Sequence, residues 1–340
     1  MAPDLRAWAE LLRLPVLFTV PGDALAGAAA ASATVNSRTL LAIGSSLCLY
    51  QAGMALNDWA DRDEDTRDRP HRPLPSGRVR PASALTASCV LTTAGLTLAA
   101  RAGRPALAVA APLAATIWAY DLALKHTPAG PVAMAAARGL DLLLGAAATT
   151  GRARDAVPSA TLLATHTLAV TTVSRRETTG GSPLVPLAAL ATTGVLTHLL
   201  TRRPRTGHRE KPSPAQLGPQ AARPPAPTSD APTPPRATDT HPQTTPAPST
   251  TRTPRPLDLA SQALRVALAV AYPATAARPY LHAALNPSPP LTQRAVAGGI
   301  RATIPLQAAL TARAGSTPTA LLVAALAPLA RRFARKVSVT

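Results

Sequence analysis

Residues 57–77 read NDWADRDEDTRDRPHRPLPSG and lie between two long apolar runs. Asp58, Asp61 and Asp65 follow at i, i+3 and i+7, a spacing that places three carboxylates on one face of a helix. Three carboxylates on one face at a membrane edge repel each other unless a cation sits among them. Mg²⁺ is the natural candidate, because it takes hard oxygen ligands and shares them with substrate phosphates. Arg67, Arg69 and Arg72 come next, guanidinium forks suited to phosphate. Acids for a metal, arginines for phosphate and apolar helices on both sides predict a site for a diphosphate with a greasy tail.

Composition sets the solvent for that site. Of the 340 residues, 46% are hydrophobic and only 3% aromatic, and the apolar residues gather into runs. Many of these runs approach the roughly 20 residues that a helix needs to cross a hydrocarbon core of about 30 Å. The expectation is an all-α, polytopic transmembrane bundle of nine or ten helices. Short alternating segments of the β-barrel kind are missing from the sequence. The net charge of +18 invites a nucleic-acid reading. No nucleic-acid motif accompanies it, and much of it lies in loops and one Pro-rich segment, so no nucleic-acid partner is expected. Cys48 and Cys89 each fall inside an apolar run without a CxxC or His/Cys ligand spacing, and read as small reduced core residues.

The apolar runs predict helices over about 14–33, 38–57, 82–101, 104–120, 130–150, 157–173 and 183–201, then 257–284, 291–314 and 317–334. Residues 1–13 form an amphipathic lead-in at the interface, with Leu5, Trp8, Leu11 and Leu12 against Asp4, Arg6, Glu10 and Arg13. The first run lacks a cleavage-site context and reads as a span. Residues 202–256 are rich in Pro, Thr, Ser and Arg and nearly devoid of large apolar side chains. They cannot bury enough surface to offset their ordering entropy and are expected to be a disordered loop. The chain thus divides into 1–201 with the catalytic loops, the 202–256 loop, and C-terminal helices in 257–340.

Polar residues inside spans narrow the site further. Arg138 and Asp141, at i and i+3, either neutralise each other or line a cavity. His166 reads as a packing histidine. By helix counting, the segments after the second, fourth and sixth spans emerge on one side of the membrane. That side carries Arg6, Arg13, the arginines of 62–80, Lys125, Arg175 and Arg176. The excess makes it cytoplasmic by the positive-inside rule, although five basic residues within 202–211 fall on the other side.

The run Asn57-Asp58-x-x-Asp61-x-x-x-Asp65, with Arg72-Pro73-Leu74-Pro75-Ser76-Gly77 behind it, resembles the first aspartate-rich motif of the UbiA superfamily of intramembrane prenyltransferases. In that family the acids hold Mg²⁺ against the diphosphate of a polyprenyl donor. The resemblance extends to Tyr120-x-x-x-x-Lys125, where the family places a lysine near the diphosphate. It then falters. The family's second acidic motif keeps the same +3, +7 spacing, and the matching positions here are Ser174, Glu177 and Gly181, one acid of three. The Ser-Arg-x-Glu-x-x-Gly-Gly form is similar to an EboC-like branch.

The resemblance implies a Mg²⁺-dependent prenyltransferase acting in the bilayer, with a polyprenyl diphosphate donor and a small hydrophobic or aromatic acceptor. Asp58, Asp61, Asp65 and Glu177 are the expected metal ligands. Arg69, Arg72, Arg175 and Lys125 face the diphosphate, Asn57 orients a ligand, Tyr120 and Arg138 line the pocket, and Asp121 serves the acceptor. The eroded second motif keeps open a non-catalytic isoprenoid or lipid carrier of the same fold. The pattern of CDP-alcohol phosphotransferases is not found around Asp58–Asp68.

Overall fold

The computed structural model describes residues 4–13, 18–178, 181–202 and 256–337, and among them there are helices and no strands. Twelve α-helices follow in order: α1 (Leu5–Leu11), α2 (Val20–Ala30), α3 (Ser37–Ala60), α4 (Arg62–Asp68), α5 (Pro81–Ala102), α6 (Arg104–Ala119), α7 (Gly130–Thr150), α8 (Val157–Ser174), α9 (Leu184–Thr201), α10 (Pro256–Leu285), α11 (Pro289–Arg313) and α12 (Thr317–Val337). The helices before and after the insert belong to one unit. The loop expected to be disordered lies, for residues 203–255, outside the described residues.

Among the described residues, six helical segments are long and apolar enough to cross a membrane: Ser37–Ala60, Pro81–Ala102, Arg104–Leu124, Gly130–Thr150, Arg154–Ser174 and Leu184–Thr201. The protein is an integral membrane protein. Of the expected first span, residues 14–17 lie outside the described residues, and α2 itself has 11 residues. Arg294, Arg301 and Arg313 punctuate α11, which has the length of a span without its apolarity.

Helix contacts in lipid depend on close packing and polar bonds, since lipid tails are as apolar as leucine. Both are present. Gly27 of α2 lies against the Leu142 carbonyl of α7, and Gly145 of α7 against the backbone of Ala24, so a Cβ at either position meets main chain. Helices α3 and α5 are tied by serines: Ser45 donates to the Gly95 carbonyl at 2.8 Å and Ser88 to the Ala52 carbonyl at 2.9 Å. On the far side, buried Leu163, Tyr272, Tyr280, Leu306 and Leu310 form a core between α8, α10 and α11. His166 is a packing histidine there, its ring nitrogens 3.0 Å from the Tyr272 hydroxyl and 3.1 Å from the Gly299 carbonyl. Both cysteines are free, but Cys89 faces outward from α5 and is not a core residue. Its run is apolar because the outer face meets lipid, a distinction that hydrophobicity alone does not make.

Candidate functional site

Helix α3 carries Asn57 and Asp58 in its last turn, breaks at Asp61 and resumes as α4. The backbone ladder crosses the break: Asp61 N–H donates to Asn57 O at 2.9 Å and Asp65 N–H to Asp61 O at 2.8 Å. The acids therefore keep helical spacing, yet their side chains part. Asp58 and Asp65 are buried and turn to arginines. Arg72 Nη1 lies 2.7 Å from Asp65 Oδ2 and 3.6 Å from Asp58 Oδ1, so one guanidinium nitrogen touches both. Arg69 approaches Asp65 at 3.5 Å, and Arg13 donates to Asp58 at 3.0 Å. Asp61, half-buried, pairs instead with Lys125 Nζ, with His126 Nε2 at 3.9 Å.

The RPLPSG turn fixes Arg72. Ser76 Oγ donates to the Arg72 carbonyl at 2.6 Å, Val79 N–H returns to Pro73 O at 2.9 Å, and Gly77 takes φ 74°, a conformation open to glycine. Leu74 and Val79 are then buried against Ala7 and Leu11 of α1. An Arg78–Glu10 ion pair at 2.8 Å closes the same joint. Helix α1 is thus docked on the motif loop, and brings Arg13 to Asp58 in a left-handed backbone conformation, φ 46°.

The end of α6 winds into one π-helical turn, Tyr120–Leu124, a local widening that recurs at functional sites. It turns Tyr120 and Asp121 inward and leaves Lys125 facing Asp61. Asn57 Nδ2 donates to Asp121 Oδ1 at 3.1 Å, so the amide orients Asp121 and not a neighbouring ligand carboxylate. From the segment after α8, Arg175 donates to the carbonyls of Thr127 at 2.7 Å and Lys125 at 3.2 Å. Glu177 is half-buried; burial raises its pKa, and Arg69 opposes that shift. The segments after α3, α6 and α8 meet at one end of the bundle. In the eroded motif, Ser174 Oγ bonds back to the Thr171 carbonyl, and Gly181 takes φ 87° while its N–H reaches Pro287 O.

Behind the acids lies a cavity of about 300 Å³. Arg13, Asn57, Tyr120 and Asp121 line its outer end, and Leu49, Gly53, Met54, Leu113, Ile117 and Met134 its middle. Ser46, Arg138 and Asp141 line its inner end. Arg138 does not pair along its own helix with Asp141, as the i, i+3 spacing suggests. Its Nε reaches Asp23 of α2 at 3.0 Å and its Nη2 the Thr19 carbonyl at 3.2 Å. Gln307 of α11 donates to Asp23 at 2.6 Å, and the Ser46 hydroxyl binds Asp141.

The outer acids suit a hard divalent ion. Asp58 and Asp65 offer carboxylate oxygens that already gather around one cationic nitrogen, hard donors of the kind a divalent ion would take. Asp61, Glu64 and His126 also bring one ligand atom each within 4.8 Å of one another. Sequence reasoning missed Glu64, Arg13, Ser46 and Gln307 as site residues, while Asp23 stood out only as an ionisable residue within the first apolar run. Arg13 had a signal, a base on the motif side just before the first apolar run.

The UbiA prenyltransferase family model matches residues 16–201, more than half of the chain. Digeranylgeranylglyceryl phosphate synthase of Methanopyrus kandleri is 34% identical over 149 residues, which is 42% of this chain and 53% of that protein. Protoheme IX farnesyltransferase of Acidiphilium cryptum is 32% identical over 152 residues, covering 42% of this chain and 47% of that one. The chain thus matches about half the length of these curated relatives. The solved structure of a digeranylgeranylglyceryl phosphate synthase superposes with a TM-score of 0.56 at 15% identity, over 91% of this chain and 98% of that one. With the acidic run, the lysine after α6 and this helical architecture in agreement, the chain belongs to the UbiA prenyltransferase family.

Proposed function

We propose that the protein transfers a prenyl group from a polyprenyl diphosphate to a small hydrophobic or aromatic acceptor, with Mg²⁺ as cofactor. One observation carries the reading. Two buried carboxylates share the Arg72 guanidinium, and a third pairs with Lys125, at the mouth of a cavity with an apolar middle. Asp58, Asp61 and Asp65 hold the metal, with Glu177 offering one oxygen from the opposite segment. Bound there, Mg²⁺ supplies a Lewis acid for the diphosphate oxygens. Arg72, Arg69, Arg175 and Lys125 exchange carboxylate or carbonyl partners for phosphate oxygens and stabilise the leaving group. Tyr120 closes the outer wall of the cavity. Asn57 orients Asp121, which accepts the proton lost by the acceptor. The apolar middle excludes water from the allylic carbon. Arg138, at the inner end, faces bound substrate from behind.

The excess of basic residues on the motif side supports a cytoplasmic membrane location with the motif loops facing the cytoplasm. The second reading, a non-catalytic isoprenoid carrier, draws on the single acid left in the second motif. An assay with membranes, a panel of prenyl diphosphates and a small-molecule extract of the host separates the two. A prenylated product that requires Mg²⁺ supports transfer. Bound donor recovered intact from every incubation supports the carrier.

A further inference from the structure

The cavity behind the acids ends on polar groups. Ser46, Arg138 and Asp141 line that end, and Asp23 stands behind Arg138. Each of the three lining groups is already bonded. The Ser46 hydroxyl binds Asp141. Asp141 and Asp23 hydrogen-bond to each other, so a proton lies between the two carboxyl groups. Arg138 holds Asp23 at 3.0 Å and the Thr19 carbonyl at 3.2 Å, and Gln307 reaches Asp23 from α11 at 2.6 Å. Bonds among Asp23, Ser46, Arg138, Asp141 and Gln307 thus join α2, α3, α7 and α11 into one floor. A leucine or methionine at the end of an apolar channel swings aside by changing rotamer. This floor yields only when several buried bonds break together, which leaves polar groups unpaired in a medium that solvates none of them.

Two helices measure the depth. Asn57, at the mouth, stands eleven residues from Ser46 on α3, a rise of about 16 Å. Gly130, against the Lys125 carbonyl, stands eleven residues from Asp141 on α7, which gives the same depth. The walls between mouth and floor include Leu49, Gly53, Leu113, Ile117, Met134 and Ala137. They come from α3, α6 and α7, and each pair of these helices packs together. Extended, one isoprene unit adds about 5 Å at carbon–carbon bonds of about 1.5 Å, so the depth holds about three. The cavity of about 300 Å³ agrees, since it stands at the small end of the roughly 300–1,000 Å³ of ligand pockets.

We propose that the cluster of Asp23, Ser46, Arg138 and Asp141 is the floor of the channel for the donor's tail and gauges its length, admitting tails up to farnesyl and excluding geranylgeranyl. The proposal rests on the placement of the donor in the transferase reading above, with the diphosphate at the acids and the tail pointing inward. A fourth isoprene unit has to break the floor or pull the diphosphate away from Asp58, Asp61 and Asp65. The chain departs here from the relatives whose names contain geranylgeranyl.

The test uses the purified full chain in detergent with Mg²⁺, and dimethylallyl, geranyl, farnesyl and geranylgeranyl diphosphate as probes. Equilibrium binding gives a Kd for each, and diphosphate release with a host extract is read beside it. In the wild type, Kd is expected to fall from dimethylallyl to farnesyl and to rise at least tenfold from farnesyl to geranylgeranyl. Ala137 lines the channel seven residues beyond Gly130, about 10 Å in. Ala137→Phe is expected to weaken farnesyl at least tenfold and geranyl less than threefold. Arg138→Ala combined with Asp23→Asn opens the floor and brings geranylgeranyl to within twofold of farnesyl. Should that double variant fail to fold, the Ala137→Phe profile decides. A geranylgeranyl Kd equal to or below the farnesyl Kd in the wild type overturns the proposal, and so does an unchanged dependence on tail length in Ala137→Phe. A farnesyl limit in binding without diphosphate release from any donor keeps the gauge and defeats the transferase reading. Release that ignores tail length does the reverse.

Discussion

The carboxylates at the mouth and those at the inner end of the cavity are held in different ways. At the mouth, Asp58, Asp61 and Asp65 meet cations that come from loops and helix ends: Arg13, Arg69, Arg72 and Lys125. Those partners can be exchanged for a diphosphate and a metal with little disturbance of the helices. At the inner end, Asp23, Arg138, Asp141 and Gln307 all sit within α2, α7 and α11, and their bonds tie three helices together. The same side-chain types thus serve exchange in one place and cross-linking in the other. The difference lies in whether the backbone that carries the cation is a turn or a packed helix.

The largest expected effect separates the two clusters by stability. Arg138→Ala leaves Asp23 buried without its guanidinium, a loss of about 3–5 kcal/mol. Thermal unfolding in detergent checks it, and adding Asp23→Asn to the same chain is expected to recover much of the loss. If the single variant unfolds like the wild type, the inner cluster is not a cross-link. Arg72→Ala, at the mouth, is expected to lower the melting point less, because Asp65 keeps Arg69 and Asp58 keeps Arg13. It raises the donor KM 10- to 100-fold, in line with the roughly 1.5–3 kcal/mol of hydrogen bonds to a charged group. Lysine at this position restores little, because it lacks the fork that spans Asp58 and Asp65.

The remaining two sharpen the reading of the mouth. Glu177→Gln lowers turnover about tenfold, roughly 1.4 kcal/mol, and Ser174→Asp raises the apparent Mg²⁺ affinity, both read from rate against Mg²⁺ concentration. An unchanged Mg²⁺ curve in both variants means that the segment after α8 does not reach the metal. Arg13→Ala has the smallest effect. Its side chain is 36% exposed, so its pair with Asp58 is screened by solvent. A few-fold rise in donor KM is expected, within the 0.2–1 kcal/mol or so of exposed ion pairs.

How much of this could be read from the residues follows the same division. The mouth was legible because its acids are close in sequence: the i, i+3, i+7 register and the RPLPSG turn are local facts, and the structure turns them into one buried group around Arg72. The helix order was legible because apolar runs mark segments that must satisfy their own backbone in lipid. The inner cluster was not. Asp23 and Gln307 stand 284 positions apart, and nothing local says that they meet. The i, i+3 spacing of Arg138 and Asp141 left mutual pairing and cavity lining open; both line the cavity, and Arg138 takes Asp23 from across the interface. The π-helical turn at Tyr120 also left no mark in the apolar period, though it decides which way Asp121 faces.

The most direct test of the central claim is diphosphate release from membranes carrying the wild type or Asp61→Asn, with a panel of prenyl diphosphates, a host extract as acceptor source, and Mg²⁺ or EDTA. The account predicts release by the wild type with Mg²⁺, none with EDTA, and a loss of at least 100-fold in Asp61→Asn at unchanged melting temperature. Release that persists in Asp61→Asn, or in EDTA, contradicts it.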